Sequence, residues 1–528
     1  MSQNKCVQNH KRPNPDECGD NSMCLPCRLS KLRRTEYTKV CMVGKGSYGK
    51  VYSGRMISST NSSKMKIAMK QFTGIDEEGI SHDALRELSA LSKLKDCKHI
   101  IDILKVELFE DVIVLVMTGM QQNLSQFIKQ ASFNDSITVY IMKQLSNALY
   151  FCSKSGVIHR DLKPQNILIN NNKFVKICDF GQARFYIKGR TYTREAGTLW
   201  FRPFDVLMGN QEYSYEYDMW SLGCIYAELI HRFPIFPGEC EWDMIRRIVP
   251  RLQKSIEKYT EMVNLPFYDK NSPIPSFKNS QYIELDDICL QMLDVNPATR
   301  ISAYELNSFF ENKTIEENKM VNNETVLLNL NKHTDINEKM RLILVDWMLE
   351  VSESLKIKLD TVQLAIYILD TYLSMSKNVS RKRIQLIGCV ALGLASKLNE
   401  EYAPCVADYV FMCDKAYTAK EFLQMELDVT RTLNYDLWKW TPVNLLQPYT
   451  LSSYLSSICC LYPCKLDHRE VANACKWIED KTYNKVTEDF VQLSNRVEIE
   501  MQYFKYIHSK FDGINILYKS HELSAPCF

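Results

Sequence analysis

Several common protein classes are excluded by what this sequence has little of. Glycine and proline number only 18 and 17 among 528 residues, far below the share of a collagen-like or Pro/Gly-rich disordered chain. Long hydrophobic runs are missing: the longest, roughly Leu386 to Ala395, is about ten residues, against about 20 for a membrane-spanning helix. Net charge is nearly absent. Lys plus Arg total 65 and Asp plus Glu 63, a formal charge of +2, which gives no global reason to expect nucleic acid or an anionic membrane as partner. The opening MSQNKCVQNHKRPNPDEC has no apolar h-region, so no secretory signal is expected and the location is read as cytoplasmic and/or nuclear. Cysteine is plentiful at 19, but without the framework of a small secreted domain, which suggests free thiols in a reducing compartment.

What is there reads as two or three domains. Residues 1–36 form a polar arm whose Cys24 and Cys27 have knuckle spacing without a second knuckle, and a mobile arm with incidental thiols is the simpler reading. From Tyr37 to Gln71 apolar and polar residues alternate around a Gly-rich turn, as in hairpin strands. Over 79–95 the period changes, and Ile80, Ala84, Leu88 and Leu91 fall on one helical face. Strands follow near 101–107 and 112–117, and helical spacing dominates from Ser125 to about Phe310. Residues 311–333, rich in Asn, Glu and Lys, read as a linker. Helical periodicity resumes at 336, with Ser380 and Thr418 as N-caps and Thr418–Glu421 as a capping box. The helix expected at 380–398 is apolar nearly all round and belongs at the centre of a bundle.

The chemistry lies in ordered motifs. Gly44, Gly46 and Gly49 form a glycine-rich turn between strands, flanked by Val51, and Ala68 precedes Lys70 on the next strand. A lysine there can hold nucleotide phosphates, and Glu87 on the following helix can pair with it. Asp161 of HRDLKPQN is placed to orient a substrate hydroxyl and accept its proton, and Lys163 can neutralise charge on the phosphoryl in transfer. Asn166 and Asp179 offer oxygen ligands to Mg2+. Phosphoryl transfer needs positioning and charge stabilisation above all, so this set suffices for an ATP- and Mg2+-dependent kinase. A catalytically dead relative would lack the lysine or an aspartate, and all are present.

HRDLKPQNILI (159–169), DFGQAR (179–184), RTYTREAGTLWFR (190–202) and DMWSLGCIYAEL (218–229) resemble the cyclin-dependent kinases nearly residue by residue over 37–310. SHDALRE (81–87) stands where that family has its PSTAIRE helix. The resemblance implies an α+β bilobal fold, with a small β-rich lobe and a larger α lobe, and serine/threonine specificity. It implies phosphorylation of Thr193 by an activating kinase, with Arg86, Arg160 and Arg184 gathering the phosphate. Ser47 and Tyr48 match inhibitory phosphosites. Met117 matches the gatekeeper, and Thr118 to Met120 the hinge that meets adenine. Two departures stand out: Asp205 replaces the family's Glu, where it can still pair with Arg300, and Gly197 replaces a valine that helps select proline after the phosphorylated residue. Protein substrates with Ser/Thr-Pro sites are therefore expected, with Arg202 retained.

MRLILVDW and ASKLNEEYAP, about 50 residues apart, resemble the first box of A- and B-type cyclins over 334–440, an all-α fold. Residues 441–528 occupy the place of a short second cyclin-like domain. By that resemblance Lys397 and Glu426 contact the kinase helix, and Met340, Ile343, Leu344, Trp347 and Glu350, with Ile384 and Gln385, line a groove for substrates bearing Arg-x-Leu. A plain core role for part of that set is the competing reading. The expected function is a fusion kinase activated in cis by its own cyclin and acting on cell-cycle control. The alternatives are a scaffold or decoy for cell-cycle proteins and a cyclin half that activates another kinase in trans.

Overall fold

The computed structural model describes residues 37–46, 49–57, 64–72, 77–109, 112–130, 135–252, 283–311, 330–377 and 379–439. The N-terminal arm with its Cys24–Cys27 pair, Ser47 and Tyr48, most of the expected linker and the expected second cyclin-like domain lie outside these residues.

A small lobe opens the fold. Strands β1 (Tyr37–Gly46), β2 (Gly49–Ile57), β3 (Lys64–Gln71), β4 (Ile103–Phe109) and β5 (Val112–Thr118) form an antiparallel sheet in the order β1-β2-β3-β5-β4. In this register Lys70 lies opposite Val51 on one side and Leu115 on the other, and Ala68 opposite Met117. Helix α1 (His82–Lys93) starts where Ser81 accepts a hydrogen bond from the Ala84 amide at 3.3 Å, with Asp83 in the first turn and Lys93 in the last. Its periodic face is buried as expected (Ala84, Leu88, Leu91), but so are Arg86 and Glu87.

The larger lobe is helical. Helix α2 (Asp135–Lys154) packs on α3 (Glu216–His231), and α3 is buried over nearly its whole length from Tyr217 to Leu229. That burial makes α3 a rigid post, and its first turn carries Asp218. Against α1 of the small lobe packs a bundle of α4 (Glu338–Ser354), α5 (Leu359–Met375), α6 (Ile384–Asn399), α7 (Val406–Met412) and α8 (Ala419–Thr432), with α6 in contact with α1. Helix α6 is central, packed by α4, α5, α7 and α8. Thr418 and Glu421 make the expected capping box at the start of α8. Ser380 caps a 3-10 turn, Arg381–Arg383, so the regular helix begins at Ile384, later than expected.

One continuous cluster of buried apolar side chains runs through both parts, from Leu88 and Leu91 of α1 to Leu398 and Val429 of the bundle. Each fully buried Leu or Val is worth about 1.5–3 kcal/mol. The polar stretch read as linker ends sooner than expected. His333 is buried; its Nδ1 accepts from the Val379 amide at 3.1 Å, which leaves Nε2 to donate to the Leu373 carbonyl at 2.7 Å. Two backbone partners tie His333 into the bundle, a use of polarity that composition does not reveal. The described cysteines are free thiols, and among the described residues no helix is long and apolar enough to cross a membrane.

Candidate active site and domain junction

Between the lobes, Lys70 Nζ lies 2.5 Å from Glu87 Oε2 and 2.6 Å from Asp179 Oδ1. Burial works against the Lys70 ammonium, but the charges of Glu87 and then Asp179 outweigh it and hold its pKa above the usual lysine range. Burial pushes Glu87 up to about 7, opposed by Lys70. Asp179, also penalised by burial, is held below its usual value by Lys70.

The loop bearing Asp161 hangs from α3. Asp218 accepts from the His159 amide at 2.7 Å and the Arg160 amide at 2.9 Å. His159 Nδ1 accepts from the Asp161 amide at 3.2 Å, so its Nε2–H faces the Cys178 carbonyl at 3.1 Å and ties this loop to the segment bearing Asp179. Asp161 is held on both oxygens: Oδ1 accepts from the Thr198 amide (2.9 Å) and hydroxyl (2.7 Å), and Oδ2 from Lys163 Nζ (2.7 Å). Asn166 Nδ2 donates to the Asp161 carbonyl at 2.9 Å, which leaves its amide oxygen to coordinate. With the second oxygen of Asp179, this is a hard-oxygen donor set that fits a magnesium ion. The structure thus brings Lys70, Glu87, Asp161, Lys163, Asn166 and Asp179 to one cleft.

Met117 is buried, opposite Ala68 in the sheet. At the hinge, Thr118 is fixed through Asp102, and the Met120 carbonyl accepts from Lys66 Nζ at 2.6 Å. Gly44 and Gly46 sit on β1 opposite Val51 and Gly49 of β2. Asp205 Oδ1 receives Arg300 Nη2 at 2.7 Å, so the shorter acid still makes its pair.

The segment from Phe185 to Thr198 ends against Asp161, through the Thr198 amide and hydroxyl. Thr193 is exposed, and its carbonyl accepts from Tyr213 Oη, which in turn accepts from Arg160 Nη1. Arg86 and Arg184 stand close enough to Arg160 to feel its charge. Burial first, then repulsion from Arg160 and Arg86, lowers Arg184 well below the usual range; burial lowers Arg86 to about 10. Arg86 Nε is buried without a partner. Buried cations crowded like this favour an added anion. Gly197 has φ +75°, and a Cβ there would meet the Arg160 carbonyl at 2.2 Å, so glycine suits this position on both counts. Its carbonyl receives Arg202 Nη2 at 3.4 Å.

The junction is made largely by side chains gripping backbone. Lys397 Nζ donates to the carbonyls of Glu78 (2.6 Å) and Ile80 (3.2 Å) and pairs with Glu426, whose Oε2 accepts from the Ile80 amide at 2.9 Å. Arg86 reaches the Glu400 carbonyl, Ser92 the Asn434 carbonyl, and Glu78 accepts from the Val406 amide at 2.7 Å. Gly79 has φ +81°, and a Cβ there would meet Glu426 Oε2 at 2.0 Å. Sequence reasoning missed Glu78, Gly79, Ser92 and Val406, since nothing in EEGIS marks it as a docking point. The expected groove residues divide. Ile343 is 62% exposed and Glu350 is exposed, whereas Met340, Trp347, Ile384 and Gln385 are half-buried. Leu344 is buried against Gly388 and packs into the bundle core.

The chain matches the family described as protein kinase domain over residues 37–309, just over half its length, and the family described as cyclin, N-terminal domain over residues 308–438.

Proposed function

We propose, from the premise that this chain belongs to the protein kinase family and carries an N-terminal cyclin domain fused behind the kinase domain, that it is a serine/threonine kinase of cyclin-dependent type activated in cis. A protein kinase domain uses ATP and Mg2+ in general, with protein substrates. The Lys70–Glu87 pair would hold ATP phosphates, Asn166 and Asp179 would hold Mg2+, and together these groups neutralise charge as the γ-phosphoryl leaves. Asp161 would take the proton of the substrate hydroxyl, with Lys163 and Thr198 keeping its carboxylate oriented.

One observation carries the cis reading. Lys397 and Glu426 hold residues 78–80, the lead-in to α1, while Glu87 on that helix sits 2.5 Å from Lys70. The cyclin half thus bears on the position of the catalytic glutamate within the same molecule, which favours cis over trans activation. Proline selection is supported by Gly197, whose carbonyl Arg202 engages and which would then not serve a substrate amide; proline has no amide to satisfy. A phosphate on Thr193 would meet Arg86, Arg160 and Arg184. The A/B-type character of the cyclin, the Arg-x-Leu groove around Ile343 and Trp347, and action on the cell cycle rest on resemblance.

The test is the full-length Lys397→Ala variant, assayed by phosphate transfer to a Ser-Pro peptide array. Loss of about 100-fold in kcat/KM with ATP still bound supports cis activation. Wild-type activity sinks it. Asp179→Asn separates enzyme from scaffold, since a scaffold would keep its biological effect.

A further inference from the structure

Helix α3 holds more than the loop bearing Asp161. Three side chains near its start each close on a different stretch of backbone. Asp218 accepts from the His159 and Arg160 amides at 2.7 and 2.9 Å, Ser221 Oγ donates to the Phe201 carbonyl at 2.8 Å, and Tyr217 Oη donates to the Ala196 carbonyl at 2.8 Å. The Tyr217 side chain is buried, and burial pushes its hydroxyl well above the usual tyrosine range, so it stays a donor.

The Ala196 carbonyl belongs to the peptide just before Gly197. Glycine carries no side chain to restrict its backbone, so its φ of +75° has to be held from outside. Two bonds act on the peptide that follows. Its carbonyl, on Gly197, receives Arg202 Nη2 at 3.4 Å, and its amide, on Thr198, donates to Asp161 Oδ1 at 2.9 Å. Glu241 places Arg202 through Nη1 at 2.7 Å, but 3.4 Å is long for an N–H···O bond, so Arg202 orients the Gly197 carbonyl only weakly. Tyr217 supplies the remaining point. Its hydroxyl also stands where a side chain on Gly197 would go, since a Cβ there would lie 2.8 Å from Tyr217 Oη. The constraint that glycine lacks thus comes from the same rigid helix that sets the loop of Asp161.

We infer that Tyr217 is a positioning residue for substrate choice: its hydroxyl holds the Ala196–Gly197 peptide so that the Gly197 carbonyl stays on Arg202, and selection for proline after the residue that receives phosphate depends on that hold. This rests on the proline reading above. Without the hydroxyl the Ala196 carbonyl is left unpaired, and Gly197 is free to turn its own carbonyl toward a substrate amide. A peptide with an amide at that place then gains a bond that proline cannot make. Loss of the hydroxyl therefore helps one class of substrate, whereas mere structural damage would harm both.

The test is Tyr217→Phe in the full-length chain, with kcat/KM on two peptides that differ only in Pro or Ala after the acceptor serine, and melting temperature as the folding control. The wild type should favour Ser-Pro by about 30-fold or more. In Tyr217→Phe the ratio should fall about tenfold, with Ser-Ala gaining about threefold and Ser-Pro losing about threefold. An unchanged ratio in a folded Tyr217→Phe chain overturns the role of Tyr217 and leaves the proline reading standing. A wild type that does not distinguish the two peptides overturns the proline reading, and this inference with it. If Tyr217→Phe does not fold, Gly197→Ala carries the test, because its Cβ pushes against the same hydroxyl and against the Arg160 carbonyl. It should lower the ratio by a similar factor, and a wild-type ratio there overturns the inference.

Discussion

The catalytic cleft and the domain junction use the same charged residue types in opposite ways. In the cleft, side chain meets side chain: Lys70 with Glu87 and Asp179, Lys163 with Asp161. Where the junction holds the lead-in to α1, side chains close on backbone, as Lys397 does on the carbonyls of Glu78 and Ile80 and Glu426 on the Ile80 amide; side chain meets side chain there at Arg190 with Asp360 and Glu400. A side-chain pair specifies which residues must be present. A grip on backbone specifies which conformation the chain must adopt, whatever side chains it carries. The junction thus tests the shape of residues 78–80, and through it the seat of α1, while the cleft tests chemistry.

The contrast can be broken from either side. The largest effect belongs to Asp161→Asn, which removes the proposed proton acceptor: kcat should fall by about 100- to 10,000-fold with the KM for ATP and the melting temperature nearly unchanged. Next comes Glu426→Ala. It strands a buried Lys397 and orphans the Ile80 amide, at about 3–5 kcal/mol. Activity should drop about 100-fold, and calorimetry should resolve two unfolding transitions where the wild type gives one. Smaller still is Gly79→Ala. The new Cβ meets Glu426, and the left-handed backbone disfavours it by about 1–2 kcal/mol, so activity should fall about tenfold. If Gly79→Ala is silent, the junction does not read backbone shape.

The smallest effect is one of pH. Glu87 has its pKa raised to about 7 by burial, against an ordinary 4.5. The raised value means the folded chain binds that proton more tightly than the unfolded one. Its contribution to stability is therefore full below about pH 4.5 and lost as pH rises through about 7. Activity needs the carboxylate and moves the other way, falling about five- to tenfold from about pH 8 to about pH 6 at saturating ATP. A profile flat across that range would show that Lys70 keeps Glu87 ionised throughout.

Legibility followed the same division. Lys70, Glu87, Asp161, Lys163, Asn166 and Asp179 could be named from their motifs because phosphoryl transfer demands those groups in that order. Lys397 and Glu426 could be named only through resemblance, and Gly79 not at all, because a backbone grip leaves no mark on the residues gripped. His333 sits in a polar stretch that reads as linker, though its ring bonds two backbone groups of the bundle. Leu344, expected in a groove, is held in the core by its fit on Gly388. Arg190, Asp360 and Glu400 lie in separate segments, each an ordinary charged residue until folding removes water from all three.

By itself the sequence determined the periodic faces of the helices, the alternation of the strands and the catalytic inventory, because these depend on local geometry and on chemistry that admits few substitutes. Only the tertiary structure decided that the cyclin bundle grips the lead-in to α1 of its own kinase domain and that Arg190 bridges the two. Those contacts join residues as much as 346 positions apart, and their strength comes from burial, which no local stretch of sequence contains.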